Sequence, residues 1–352
     1  MPCVKSTRFM NKWHLYPLKG CVSGNGKPYG VSLKKGRENK LLVNFLGGGA
    51  SWSEETAKKP ITIPSLLRKK EVFYIPHVSP SMMKLGHVGL LSTKDKRNPF
   101  CDWHVLNIPY STADFHIGAQ DFQYQDDRGK DKMLHHHGAK NVTAALTELK
   151  RFLPQTPDML LISGTSGGAF GCLAHAPAIK NLYPNCSNIV VYAEGAHLRA
   201  PIWQNTIQNI WNVDPDLAAH LNSEDLIVDL FRYAESNLPR DTKFLYAVSV
   251  WDDALTRFMS KMNHGKTEIT KQTLEEFHHS LIDVVNTLKA EIQNCAHYLT
   301  DYGKKKDGTT PHIFLGSPKL LYGKMQDGVS LADWIFQAFE AQPPDVGGKF
   351  LK

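Results

Sequence analysis

Long apolar runs, cysteine, and repeats or low-complexity tracts are all scarce in this chain of 352 residues. The greasiest pieces, Met159-Leu160-Leu161-Ile162 and Ile189-Val190-Val191-Tyr192-Ala193, fall far short of the roughly 18 apolar residues a membrane-crossing helix needs, so no membrane span is expected. The six cysteines (Cys3, Cys21, Cys101, Cys172, Cys186, Cys295) include no Cys-x-x-Cys pair. That spacing excludes a cysteine zinc site and a dense disulfide framework, and leaves buried thiols as the expectation. The opening Met1–Lys12 carries scattered charge and no apolar h-region, which gives a cytoplasmic location as the expectation and a mature secreted form as its alternative. A net charge of +7 comes with short basic clusters, Arg68-Lys69-Lys70, Lys94-Asp95-Lys96-Arg97 and Lys304-Lys305-Lys306. None is interleaved with aromatics, so they read as solvated loops and no nucleic-acid partner is expected.

What is present is enough apolar residue, 42% of the chain, to bury a large core. Short runs rich in β-formers alternate with segments of helical period, which predicts an α/β fold with a mainly parallel central sheet flanked by helices on both faces. Strands are expected near 41–46, 104–109, 158–163, 188–193 and 243–250, with a further candidate at 312–315 and about 40 residues before the first. Leu146, Leu149 and Leu153 mark one core-facing helix. Phe277, Leu281, Val284, Leu288, Ile292 and Cys295 mark the stripe of a long helix near 267–300. Residues 60–100, rich in Pro, Gly and Lys, read as an irregular insertion. With no linker visible, residues 1–352 are expected to form a single domain.

The most informative segment is Leu160-Leu161-Ile162-Ser163-Gly164-Thr165-Ser166-Gly167-Gly168-Ala169-Phe170-Gly171, where an apolar strand runs through Gly-x-Ser-x-Gly into a helix. That is the context of a nucleophile elbow, and therefore of an α/β-hydrolase-like fold. Gly164 and Gly168 remove the side chains that would crowd a serine held on such a sharp turn. Ser166 is the expected nucleophile, and the Gly167 N–H an oxyanion donor beside it. A phosphate cradle is the rival reading, but the segment lacks the Gly-Lys-Ser/Thr ending of an NTPase loop. Upstream, strand 41–46 ends in Gly47-Gly48-Gly49-Ala50-Ser51-Trp52, and Gly49 and Ala50 are the candidates for the remaining oxyanion N–H groups.

A serine nucleophile needs a base and an acid to orient it, placed after it in the order Ser, Asp, His in this fold. Strand 243–250 ends in Trp251-Asp252-Asp253, at the carboxyl edge of the sheet, so Asp252 is the candidate acid and Asp253 its rival. Of the histidines that follow, His278 and His279 lie inside the long helix, His297 near its end, and His264 only twelve residues beyond Asp252. This leaves His312, in a loop between Pro311 and Gly316, as the expected base. Trp52, Phe170 and Trp251 are candidate pocket residues, with Phe45 and Trp203 beside them. The run His135-His136-His137 invites a metal reading, yet adjacent residues do not share a face and no carboxylate stands at ligand spacing along the chain. Neither a metal nor another cofactor is expected. Asp114 and His116, in Tyr110-Ser-Thr-Ala-Asp-Phe-His-Ile-Gly118, read either as groups supporting the site or as surface-loop residues.

These pieces, in this order, resemble the pectin acetylesterase family, which also contains the Notum carboxylesterases. The resemblance rests on the Gly47-Gly48-Gly49 turn, the Tyr110–Gly118 segment, Gly164-Thr-Ser-Gly-Gly168, Trp251-Asp252, His312-Ile-Phe-Leu-Gly316 and the closing Asp327–Trp334. It spans Trp13 to Trp334 and implies Ser166 as nucleophile, Asp252 as acid and His312 as base, with Gly49, Ala50 and Gly167 as oxyanion donors. Ala50-Ser51 stand where many relatives carry Trp-Cys, so a disulfide at that point is impossible. The expected activity is that of a serine carboxylic-ester hydrolase removing O-acetyl groups from a carbohydrate or similar small ester. A Notum-like deacylase of longer acyl chains is one alternative, and a catalytically silent hydrolase-fold binding protein is another.

Overall fold

A computed structural model describes residues 10–314 and 316–352, so Cys3 and Leu315 lie outside the described residues. The strands are β1 (Trp13–Val22), β2 (Pro28–Lys34), β3 (Lys40–Phe45), β4 (His104–Ile108), β5 (Gln120–Gln125), β6 (Asp131–His136), β7 (Met159–Thr165), β8 (Ile189–Glu194), β9 (Lys243–Ser249) and β10 (Cys295–Thr300). Counting helices of seven or more residues, α1 is Gly138–Phe152, α2 Gly167–Leu182, α3 Leu226–Asn237, α4 Asp253–His264, α5 Lys271–Glu291 and α6 Leu331–Gln337.

Eight strands form the central sheet in the order β1-β2-β4-β3-β7-β8-β9-β10. The six from β4 to β10 run parallel, while β2 is antiparallel to both β4 and β1. The middle strands are aliphatic almost throughout because both of their faces are covered. Leu41, Val43 and Phe45 of β3, with Leu160 and Ile162 of β7, point into the larger core. Phe277, Leu281, Val284 and Leu288 of α5 close that same core. Leu42, Leu161, Val190 and Leu245 point the other way, onto Trp103, Leu321 and Trp334. This two-sided burial is what the apolar alternation along each strand encodes. No helix among the described residues is long and apolar enough to cross a membrane.

Several expectations need correction. The residues before β3 are two paired strands, joined through Ser23-Gly24-Asn25-Gly26-Lys27, where Ser23 N–H donates to Lys27 O at 2.8 Å. The long helix stops at Glu291; Ile292 is its cap, Asn294 takes a left-handed φ of 55°, and Cys295 opens β10 as the outer parallel strand. His297 is therefore on a strand. Of the candidate strand at 312–315, the described residues 312–314 form loop. Residues 60–100 contain short helices at Ile63–Leu67 and Pro80–Leu85 and bury Phe73, Leu90, Leu91 and Phe100, so this segment walls the core as well as decorating it. Cys21, Cys172 and Cys186 are buried free thiols, whereas Cys101 and Cys295 are partly exposed.

Candidate active site

The parallel strands β3, β7 and β9 deliver their carboxyl ends to one edge of the sheet, and every candidate catalytic residue follows one of those ends or packs against it. Ser166 follows β7 directly and adopts φ 54° and ψ −128°, a conformation side chains rarely occupy and one that costs on the order of 1–3 kcal/mol. The glycines explain how the turn is tolerated. A Cβ on Gly164 would run into the Gly168 carbonyl, and one on Gly168 into the Phe45 carbonyl, so the elbow closes only because both are absent. Ser166 N–H donates to Glu194 O at 2.7 Å, which ties the elbow to the neighbouring strand.

The glycine turn after β3 lies against this elbow. A Cβ on Gly47 would sit 2.6 Å from Ser166 Cβ and 2.9 Å from Gly167 N. Gly167 opens α2, so its N–H has no partner within the helix. Gly49 has φ +83° and bridges Tyr74. The expectation for Ala50 is corrected here: its N–H already donates to Phe73 O at 2.9 Å, so it is not available to an oxyanion. Gly47, Gly48 and Gly49 line the pocket with Gly167, and among the described residues the N–H groups of Gly48 and Gly49 donate to no backbone carbonyl.

On the other side, His312 Nδ1 lies 2.7 Å from Asp252 Oδ2. Asp252 is fully buried and caps α4, its Oδ1 accepting from Leu255 N–H at 2.8 Å. Asp253 instead pairs with Lys305 at the surface. Burial pushes the Asp252 carboxyl above its ordinary value, against the stabilising pull of His312. Burial pulls His312 down, but the Asp252 carboxylate outweighs it and raises the imidazole above its usual range.

The loop that holds His312 is clamped twice. Thr310 accepts from Ser249 Oγ at 2.5 Å, and its own N–H donates to Trp251 O at 2.8 Å. Phe314 N–H donates to Glu194 Oε1 at 2.5 Å, while Tyr192 OH donates to Glu194 Oε2 at 2.6 Å. Glu194 thus holds Ser166 with its carbonyl and the histidine loop with its carboxylate. Sequence reasoning missed it, although an acid ending the apolar run Ile189–Ala193 and followed by Gly195 is a visible irregularity.

Ser166, Gly167 and His312 open onto one cavity of about 280 Å³. Its walls are apolar: Ile61, Val72, Phe73, Phe115, Phe170, Leu198, Leu255, Phe258 and Ile313. Of the expected pocket residues only Phe170 lines it. Trp52 stands one layer back, packed on Phe73 and Phe258 with ring centroids 5.2 and 5.6 Å away. Trp251 packs on His278 at 4.3 Å, and Phe45 and Trp203 are core. The missed residues come from five separate segments, so no local motif could announce them. A larger, open groove of about 830 Å³ is lined by charged residues including Glu54, Lys58 and Arg68, and lies apart from the serine.

Asp114 and His116 prove to be buried supports. Asp114 accepts from Thr112 Oγ1 at 2.6 Å and Gly138 N–H at 2.7 Å, and burial lifts its pKa to about 6. His116 Nε2 lies 2.9 Å from Leu46 O, at the root of the glycine turn, and burial lowers its pKa to about 3. The histidine run is also reinterpreted by the fold. The β5–β6 hairpin brings Asp121 opposite His135, and His137, which follows the strand, brings its ring to the same carboxylate. Spacing along the chain alone had hidden that carboxylate.

Comparison with known proteins agrees with this fold. Two crystal structures of the Wnt deacylase Notum from Drosophila share the fold, each with a TM-score of 0.62. The first is 15% identical over 93% of this chain and 93% of that one; the second is 14% identical over 94% and 95%. No curated protein sequence matches the chain. The family model described as pectinacetylesterase matches residues 17–212, more than half of the chain, and with that match and a hydrolase architecture around Ser166 the chain belongs to the pectinacetylesterase family, a family of ester hydrolases.

Proposed function

We propose that this esterase works through Ser166 as nucleophile, His312 as general base and Asp252 as the acid that orients it. The observation that carries the reading is the 2.7 Å contact between His312 Nδ1 and a buried Asp252, opening onto the cavity that also contains Ser166 on its strained elbow. His312 Nε2 takes the proton as Ser166 Oγ attacks the acyl carbonyl, and Asp252 holds the Nδ1–H tautomer. The N–H groups of Gly48, Gly49 and Gly167 stabilise the tetrahedral oxyanion. The protonated His312 then gives its proton to the leaving alcohol, and water, activated by the same imidazole, hydrolyses the acyl-enzyme.

The acyl group lodges in the apolar cavity. At about 280 Å³ the cavity is near the lower end of small-molecule sites, roughly 300–1,000 Å³, and offers far more apolar wall than an acetyl methyl can use. This favours an acyl chain longer than acetyl, and the chain shares the fold of a deacylase. A second reading, removal of O-acetyl groups from a carbohydrate, is favoured by the family's description. A p-nitrophenyl ester series from acetyl to octanoyl separates the two: kcat/KM rising beyond acetyl supports the chain pocket, and a maximum at acetyl overturns it. In the same assay Ser166→Ala should lose activity by roughly three orders of magnitude or more and fail to react with a fluorophosphonate. Activity retained by that variant would remove the triad.

A further inference from the structure

Away from the serine, on the β5–β6 hairpin, two imidazoles converge on a single carboxylate oxygen. His135 Nδ1 is 2.5 Å and His137 Nε2 2.9 Å from Asp121 Oδ1. The hairpin register puts Asp121 directly across from His135, and His137, which follows the strand and caps α1, brings its ring to the same carboxylate. All three donor atoms lie within 4.8 Å of one another. We propose that Asp121, His135 and His137 bind a divalent cation of the zinc class.

The donor set selects the ion. Two imidazoles and one carboxylate suit zinc, nickel or copper, whereas calcium and magnesium demand shells made of oxygen. Ligands at 2.0–2.2 Å around a tetrahedral zinc stand about 3.3 Å from each other, so the two contacts need open by less than about 1 Å to admit the ion. Asp121 has the freedom to do this, its side chain being 46% exposed, and the fourth position falls to water.

The histidines are held by groups that do not themselves bind the ion. The His135 backbone N–H donates to Gly24 O at 2.9 Å, and a Cβ on Gly26 would stand 3.2 Å from the ring Nε2, while Nδ1 faces Asp121. Between the two ligands, buried His136 turns the opposite way, its Nδ1 2.8 Å from Thr112 O. Immediately after His137, Gly138 N–H is fixed by Asp114. The ion would therefore brace the hairpin against the start of α1 and the Thr112–Gly118 loop, a structural role separate from ester hydrolysis and independent of the triad assignment.

Isothermal titration of the full chain with Zn²⁺ should show one stoichiometric site, raise Tm, and find no counterpart with Mg²⁺. His135→Ala and His137→Ala should each weaken Zn²⁺ binding more than about tenfold while leaving p-nitrophenyl ester hydrolysis within twofold. Should either variant fail to fold, anomalous scattering from a zinc-soaked crystal of the unaltered protein decides the matter. A peak between Asp121, His135 and His137 supports the site. Unchanged affinity in both variants, equal binding of Mg²⁺, or peaks only at other surface pairs such as His264–Glu276 would overturn it.

Discussion

The two sides of the pocket are built by different means. On the serine side, backbone does the positioning: the Gly47–Gly49 turn, the elbow at φ 54° and the first N–H of α2 are set by where side chains are missing. On the histidine side, side chains do it: Asp252, Thr310, Ser249 and Glu194 hold a loop that has no regular structure of its own. The family model ends at residue 212, so it includes Ser166 and the glycine turn and stops short of Asp252 and His312. A glycine requirement is sharp, since no other residue fits. A loop held by hydrogen bonds can be held by several different partners, and it leaves a weaker mark on sequence.

Removing the orienting carboxylate tests the histidine side most severely. Asp252→Asn keeps the shape but misdirects the imidazole, and kcat should fall by about 10³–10⁴-fold, whereas Asp253→Asn, which loses only a surface pair with Lys305, should change it less than about threefold. The pH profile sharpens the contrast. His312 acts as a base only when neutral, and Asp252 raises its pKa above the ordinary 6.5. In the parent, kcat/KM should therefore climb through a limb above that value as pH rises. In Asp252→Asn the raising charge is gone and burial remains, so the limb should move to lower pH.

The matching test of the serine side adds a single methyl group. In Gly164→Ala the new Cβ meets the Gly168 carbonyl, and no rotamer change can relieve a clash between backbone atoms. The elbow must shift, and a displacement of about 1 Å at a nucleophile costs on the order of 100-fold in kcat. Fluorophosphonate labelling should slow in parallel. A variant that folds and labels at the parent rate would show that the backbone is less decisive here than the side chains opposite.

The same division accounts for what could be read from the chain. The central parallel strands and the strand–turn–helix at Ser166 were legible because apolar runs and glycine spacing are local signals. β1 and β2 were signalled only by Gly24-Asn25-Gly26, a turn whose flanking strands are interrupted by Pro17, Gly20 and Gly30 and so do not read as clean apolar runs. β10 was absorbed into the preceding helix because Ile292 and Cys295 continue its apolar stripe in phase, and only the left-handed Asn294 marks the break. Ala50 looked free as a donor because its acceptor, Phe73 O, comes from a segment read as irregular. The pocket aromatics Phe73, Phe115 and Phe258 meet only in the folded chain.

Glu194 belongs to both sides, which makes it the finest test of whether they are separable. Its carbonyl holds Ser166 N–H, so substitution of the side chain leaves that bond in place. Its carboxylate accepts from Phe314 N–H through one oxygen and from Tyr192 OH through the other. In Glu194→Gln the amide oxygen can still accept from Phe314 N–H and the amide NH2 can donate to the Tyr192 hydroxyl, so both contacts survive with one direction reversed and the negative charge is lost. The change is confined to the side chain, whose carboxylate faces both the histidine loop and Tyr192, and kcat should drop by about 3–10-fold with little change in KM. The charge also contributes to the raised pKa of His312, so the pH limb should move down as well, by less than in Asp252→Asn. A mere packing defect would lower kcat without moving the limb. A fall in fluorophosphonate labelling with the limb unmoved would mean that Glu194 acts through the elbow, and the two sides would then be a single unit.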